Sequence, residues 1–255
     1  MSFKATYRTQ AYGQGTPRAA RTRPVPTMRY ENALRAEGAQ LIAGLDEVGL
    51  GAWAGPVAVG VVVLHPGRRL YKVRDSKLLD APRREWLASH VRDTCLSWSV
   101  GLAWPREIDE MGLTAATRLA GNRAVASLTL SPDAFLIDGN WNLLGSDTVT
   151  TIVRGDSESV SIASASLVAK VARDRLMRCL APLYPQYLFE SNKGYPSELH
   201  KRALAMIGPS PIHRRLFAPV RKLVEESAPC RLLPGPRLCG DLLSEGESAR
   251  SDPIS

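Results

Sequence analysis

Gly44-Leu45-Asp46-Glu47-Val48-Gly49-Leu50-Gly51-Ala52-Trp53-Ala54-Gly55-Pro56-Val57 is the stretch on which the reading of the fold turns. Leu41 to Asp46 reads as a strand, and the β-branched run Val57 to Leu64 reads as a second. The residues between them, from Gly49 to Pro56, are too few for a crossover helix. The two strands are therefore expected to be antiparallel neighbours. Gly49-Leu50-Gly51 with the later Gly55 also suggests a dinucleotide-binding turn, but that turn must open a helix. Pro56 and a β-branched run follow instead, so this alternative is rejected.

Outward from this hairpin the pattern stays mixed. Leu96 to Trp104 alternates Trp98, Val100 and Leu102 and suits a third strand, with a helix before it starting near Pro82. Gly112 to Leu128 has helical apolar spacing, and Ala134 to Asp138 and Val149 to Val153 read as short buried strands. Ile162 to Leu180 reads as a helix with N-caps available in Ser157-Glu158-Ser159. Ser197 to Ile207 reads as another, closed by Gly208 and Pro209. Three strands with helices, then two more with helices, imply an α/β fold: a mixed five-stranded sheet flanked by helices, with a C-terminal helical segment.

The flanks differ from the middle. Met1 to Arg29 holds Lys4, Arg8, Arg18, Arg21, Arg23 and Arg29 and no acid, and shows no apolar period. A disordered basic arm is expected over residues 1–38, a globular unit over 39–226 and a loose tail over 227–255, where Pro229, Pro234, Pro236 and Pro253 lie among Gly and Ser. The chain has 255 residues, 44% of them hydrophobic, enough for one core. A net charge of +8 favours a polyanionic partner such as nucleic acid. The cysteines, Cys95, Cys179, Cys230 and Cys239, form no CxxC pair, so neither a zinc site nor a disulfide framework is expected. The opening MSFKATYRTQ has no apolar signal core, and the longest apolar run has only strand length. A cytoplasmic, monomeric protein without membrane contact is expected.

Four acids stand at or just past strand ends. Asp46 and Glu47 end the first strand, Asp138 ends the fourth in Phe135-Leu136-Ile137-Asp138-Gly139-Asn140, and Asp156 follows the fifth in Arg154-Gly155-Asp156-Ser157. Several such ends in one mixed sheet can converge on a single pocket. Clustered carboxylates repel, and a divalent cation relieves the repulsion; Mg²⁺ favours carboxylate and water oxygens with substrate phosphates completing its shell. Two ions can hold the attacking and leaving oxygens of a phosphoryl displacement. The pattern points to metal-dependent phosphodiester chemistry. Singly, each acid also fits a cap or a turn. Ser166 and Lys170 share a helix face, which could suggest a Ser–Lys hydrolase, but a packed, hydrogen-bonded serine is the better reading. His200 and His213 read as too isolated to be ligands.

The opening stretch resembles the signature of bacterial type 2 ribonucleases H. The likeness continues through Asp75-Ser76-Lys77, the Thr114 to Val125 helix, Ile137-Asp138-Gly139-Asn140 and Gly155-Asp156. It is strongest along Ser161-Ile162-Ala163-Ser164-Ala165-Ser166-Leu167-Val168-Ala169-Lys170-Val171-Ala172-Arg173-Asp174-Arg175-Leu176-Met177. It ends with Asn192-Lys193-Gly194-Tyr195-Pro196, His200 and His213-Arg214-Arg215-Leu216-Phe217. The resemblance implies a ribonuclease H-like catalytic domain over 39–226. It implies Asp46, Glu47, Asp138 and Asp156 as ligands of a Mn²⁺ or Mg²⁺ two-metal site. It implies an endonuclease that cuts the RNA strand of RNA–DNA hybrids and 5′ of ribonucleotides embedded in duplex DNA, leaving 3′-hydroxyl and 5′-phosphate ends. Substrate contacts implied are Gly49, Leu50, Gly51, Lys77, Lys170 and Tyr195, with the Tyr195 ring on the sugar at the junction. The family turn is usually Gly-Arg-Gly, whereas Leu50 stands here in place of the arginine. A relative that binds hybrids without efficient cleavage is the alternative.

Overall fold

The structure is a computed structural model that describes residues 25–66, 73 and 80–226. The sheet consists of β1 (Ile42–Val48), β2 (Val57–Val63), β3 (Ser97–Ala103), β4 (Ala134–Asp138) and β5 (Val149–Ile152). Its order is β3-β2-β1-β4-β5. The hairpin read from the opening stretch is present, with β1 antiparallel to β2 and Asp46 opposite Gly60. β3 continues antiparallel beyond β2, while β4 and β5 run parallel to β1 on the other side. The sheet is thus mixed, as expected.

Helices cover both faces. α2 (Ala81–Thr94) starts where Pro82 predicts, its N-terminus capped by the Asp80 side chain. α3 (Pro105–Met111) and α4 (Leu113–Ala126) follow β3, and α4 lays Ala116, Ala120 and Ala124 on Val57, Val59, Val61 and Val63. α5 (Val160–Leu180) crosses the opposite face, where Ala165, Leu167 and Val168 meet Val62 and the α2 residues Leu87 and Val91. A Cβ at Gly44 would overlap the main chain of Ser161, so the glycine is what lets α5 sit directly on β1. α6 (Phe189–Asn192), α7 (Glu198–Ile207) and α8 (Ala218–Glu226) build a separate apolar cluster on Met177, Tyr187, Phe189 and Ile212.

Two expectations are corrected. Residues 1–38 do not all belong to an arm: α1 (Arg29–Ala36) is part of the fold. Its Glu31 is fully buried and accepts from Ser159 Oγ (2.7 Å), Ser161 N (2.9 Å) and Ser161 Oγ (2.7 Å) at the start of α5. A carboxylate there satisfies one free N–H of the first turn, that of Ser161, and complements the helix dipole. Tyr30 and Leu34, four residues apart, also pack on Ile42, Leu136 and Ile162, a pair too short to read as an apolar period. β5 is also not the buried strand expected. It is the sheet edge, with Thr150 and Thr151 exposed, because a β-branched run encodes strand geometry without specifying a cover. The remainder of the expected arm and the tail from 227 lie outside the described residues.

Candidate active site

Parallel pairing of β1 with β4 brings the acids together. The register matches Leu45 with Ile137, so the next positions, Asp46 and Asp138, lie side by side. Asp46 shares the α5 face of β1 with Gly44, by the period of two along a strand. It is only 5% exposed. The 3-10 turn Gly155–Ser157 follows β5, and Gly155 N–H donates to Asp138 Oδ1 at 2.6 Å. This turn brings Asp156 close enough for its charge to act on Asp46.

Burial is the main force that pushes the Asp46 carboxyl well above the ordinary carboxylate range. A hydrogen bond from Ser166 opposes it, and the charges of Asp138, Glu47 and Asp156 add to it. Glu47 is raised too, by burial first and then by Asp138. Its Oε2 is buried without a hydrogen-bond partner. Three of the four predicted acids, Asp46, Glu47 and Asp138, line one pocket of about 330 Å³ with Arg84, Ser166, Lys170 and Tyr195. Asp156 is not among the lining residues. Among the described residues no group of three or more acidic, imidazole or thiol side chains stands close enough together to hold an ion.

The pocket carries positive charge on its α5 side. Lys170 Nζ lies 2.8 Å from Asp174 Oδ1, and Arg84 reaches the other Asp174 oxygen at 3.9 Å. Lys170 Nζ and Arg173 Cζ lie 5.6 and 5.2 Å from the centre of the Tyr195 ring. The half-buried ring thus has cationic neighbours and shares the pocket with the acids. Ser166 is not the packed core serine expected from sequence, since it turns to Asp46. Lys77 lies outside the described residues.

Beside the pocket, the turn after β1 is held from behind by two buried arginines. Arg173 donates to Pro56 O (2.9 Å), Lys193 O (2.9 Å) and Ala54 O (3.1 Å). Arg214 donates to Gly55 O (2.9 Å) and Leu50 O (3.1 Å). Gly49 has φ +92°, and a Cβ there would strike the Arg173 guanidinium. Main-chain bonds from Trp53 and Ala54 to Gly194 O, and from Gly55 to Ile212 O, tie the turn to the Tyr195 segment. Gly51 is open to solvent and Leu50 is 38% exposed, so its side chain does not plug the fold.

The ribonuclease HII family model matches residues 43–220. The chain belongs to the ribonuclease HII family. A ribonuclease HII of Koribacter versatilis is 46% identical over 194 residues, 76% of this chain and 76% of that protein. One from Thermus thermophilus is 48% identical over 183 residues, 71% of this chain and 87% of that protein. The crystal structure of ribonuclease H2 from Pyrococcus horikoshii superposes with a TM-score of 0.63 at 29% identity, covering 73% of this chain and 98% of that one. The protein is accordingly a ribonuclease H enzyme with a ribonuclease H-like fold, as the resemblance implies. No helix among the described residues is long and apolar enough to cross a membrane.

Sequence reasoning gave no role to Asp174, Arg84, Arg173 or Arg214. For Asp174 a signal was available: it lies four residues after Lys170, the spacing of a helical ion pair. The arginines gave none, because their partners are distant in sequence: Asp174 for Arg84, and for Arg173 and Arg214 carbonyls as many as 164 positions away. His200 and His213, read as isolated, are in contact, with Nε2 atoms 3.0 Å apart.

Proposed function

We propose that this ribonuclease H is metal-dependent, cuts the RNA strand of RNA–DNA hybrids, and cuts 5′ of single ribonucleotides embedded in duplex DNA. The observation that carries the reading is the like-charge cluster of buried Asp46 with half-buried Glu47 and Asp138, facing one pocket. Asp46 and Glu47, raised first by burial and then by neighbouring carboxylates, with Glu47 Oε2 buried and unpartnered, are what a divalent cation relieves. Asp46, Glu47, Asp138 and Asp156 would hold Mg²⁺ or Mn²⁺. When bound, such ions supply charge neutralisation at the phosphate and activation of water.

The chain's own residues supply the rest. Lys170, fixed by Asp174, offers positive charge to a phosphate at the pocket mouth. The Tyr195 ring offers a face on which the junction sugar stacks. Within the Gly49-Leu50-Gly51 turn the main chain at Gly51 lies open for a ribose 2′-hydroxyl, with no neighbour within 4 Å of a Cβ position. In the reaction the oxygen of water bonds to phosphorus, the P–O3′ bond to the preceding nucleotide breaks, and O3′ takes a proton. The products carry a 3′-hydroxyl and a 5′-phosphate.

The test is incubation of the full chain with a duplex bearing one embedded ribonucleotide, with and without Mg²⁺ or Mn²⁺, and mass analysis of the ends. Cation-dependent cleavage 5′ of the ribonucleotide is expected. Cleavage without cation, or binding of the duplex with no cleavage under any cation, overturns the reading.

A further inference from the structure

Behind the Tyr195 segment lies a buried imidazole pair that the chemistry above does not use. His200 sits in the first turn of α7, and His213 lies past its end; both are almost wholly buried. Tyr187 and Phe189 pack against both rings, and Trp53 against His200. The hydrogen bonds around the pair fix where each proton sits. Ser210 N–H donates to His213 Nδ1 at 2.9 Å, and the Ser210 hydroxyl is 2.8 Å from the same atom. A main-chain N–H can only donate, so His213 Nδ1 carries no proton. A neutral His213 therefore holds its proton on Nε2 and donates it to His200 Nε2, 3.0 Å away. His200 must then keep its own proton on Nδ1, which donates to the Tyr195 carbonyl at 2.8 Å. The bonds run one way, from the Ser210 amide through two rings to the main chain of Tyr195.

The far end of this chain is also anchored. His213 pairs with Ala54 in an isolated bridge, and Arg214 N–H donates to Trp53 O at 2.8 Å. The relay thus spans from the turn after β1 to the residue that faces the pocket from the other side. Burial pushes both imidazoles below their ordinary range, His213 to about 3. Both are neutral at physiological pH, which the arrangement of donors requires.

We propose that His200 and His213 are positioning residues for junction recognition: together they set the height of the Tyr195 ring relative to the turn after β1. This rests on the reading of Tyr195 as the residue that stacks on the junction sugar.

The test compares three variants of the full chain, His200→Phe, His200→Asn and Tyr195→Ala, on two substrates, a single embedded ribonucleotide and a long hybrid. Phenylalanine keeps the volume and removes the donor, while asparagine can present an amide where Nδ1 stood. Loss of one buried hydrogen bond suggests that His200→Phe lowers kcat/KM on the embedded ribonucleotide about 10-fold, with a smaller loss on the long hybrid. His200→Asn is expected to restore most of that difference. Equal losses on both substrates in a folded His200→Phe protein, with Tyr195→Ala selective, overturn the relay and leave the Tyr195 reading standing. If Tyr195→Ala is itself unselective, the Tyr195 reading fails, and amide exchange decides the relay. Faster exchange at Tyr195 and Ser197 in His200→Phe but not in His200→Asn supports it, and unchanged exchange overturns it. Should His200→Phe not fold, nitrogen NMR of the wild-type rings at pH 7 decides. A proton on His200 Nδ1 and His213 Nε2 supports the relay, and a proton on His200 Nε2 overturns it.

Discussion

Two regions of this molecule bury like charges, and they do so to opposite ends. At the pocket, Asp46, Glu47 and Asp138 crowd together with an oxygen of Glu47 left unpartnered. Behind the turn after β1, Arg173 and Arg214 are both fully buried, and burial holds both below the usual guanidinium range, Arg214 at about 9. Arg173 directs three N–H donors and Arg214 two to main-chain carbonyls, with Arg214 Nη2 alone left unpartnered, so their charge fixes the shape of a turn. The carboxylates face an opening and keep acceptor capacity in hand, so their charge is free for a ligand. Which groups surround a buried charge, more than the charge itself, separates scaffold from chemistry.

If that distinction holds, removing a charge from the buttress destabilises the fold. Arg173→Met strands three carbonyls, those of Pro56, Lys193 and Ala54. At about 1 kcal/mol or more for each, the loss should be about 3 kcal/mol or more in denaturant unfolding. A change under about 1 kcal/mol would mean the turn holds itself.

Glu31 sharpens the comparison, since it is a buried carboxylate used as scaffold. Glu31→Ala should cost about 2 kcal/mol by leaving Ser159 and Ser161 without their acceptor. Chains truncated at residue 24 should unfold like wild type, whereas truncation at 38 removes α1 and should cost at least as much.

The histidines give the buttress a pH signature. The folded pKa of His213, about 3, lies below its ordinary value of 6.5. Between these values the unfolded chain binds the extra proton, so stability is fully present above pH 6.5 and is lost as pH falls toward 3. His213→Phe should flatten this acid limb of a Tm–pH curve; an unchanged slope would place the transition in other groups.

The smallest expected effect is at Leu50. Its side chain is 38% exposed while its carbonyl is held by Arg214, so an arginine there has room without disturbing the turn. Leu50→Arg should lower KM by up to about 10-fold with a smaller change in kcat, as a gain in uniform binding does. An unchanged or higher KM would show that charge at this position does not limit binding.

Much of this was legible in the sequence, and the reasons differ by residue. Leu41 to Asp46 and Val57 to Leu64 announce the hairpin because the connection leaves no other geometry. Asp46 and Asp138 announce themselves because an acid ending an apolar strand needs a reason. α1 was not legible, since its one fully buried residue is the charged Glu31 and its apolar contacts, Tyr30 and Leu34, make only a single i, i+4 pair. Ser166 was misread because a helical serine is ordinarily satisfied by its own helix, and only the crossing of α5 over β1 gives it Asp46. His200 and His213 were passed over because 13 residues, the end of α7 and a turn separate them, and only tertiary packing closes the gap.

The central claim is that the strand-end carboxylates face the pocket to hold a catalytic cation and do not hold the fold. Asp138→Asn tests it most directly, because asparagine keeps the acceptor for Gly155 N–H and removes the charge. Cleavage of a duplex with one embedded ribonucleotide should fall about 10²-fold or more under saturating Mg²⁺ or Mn²⁺, with Tm unchanged or raised. Near wild-type turnover, or loss of activity that only accompanies unfolding, would contradict the account.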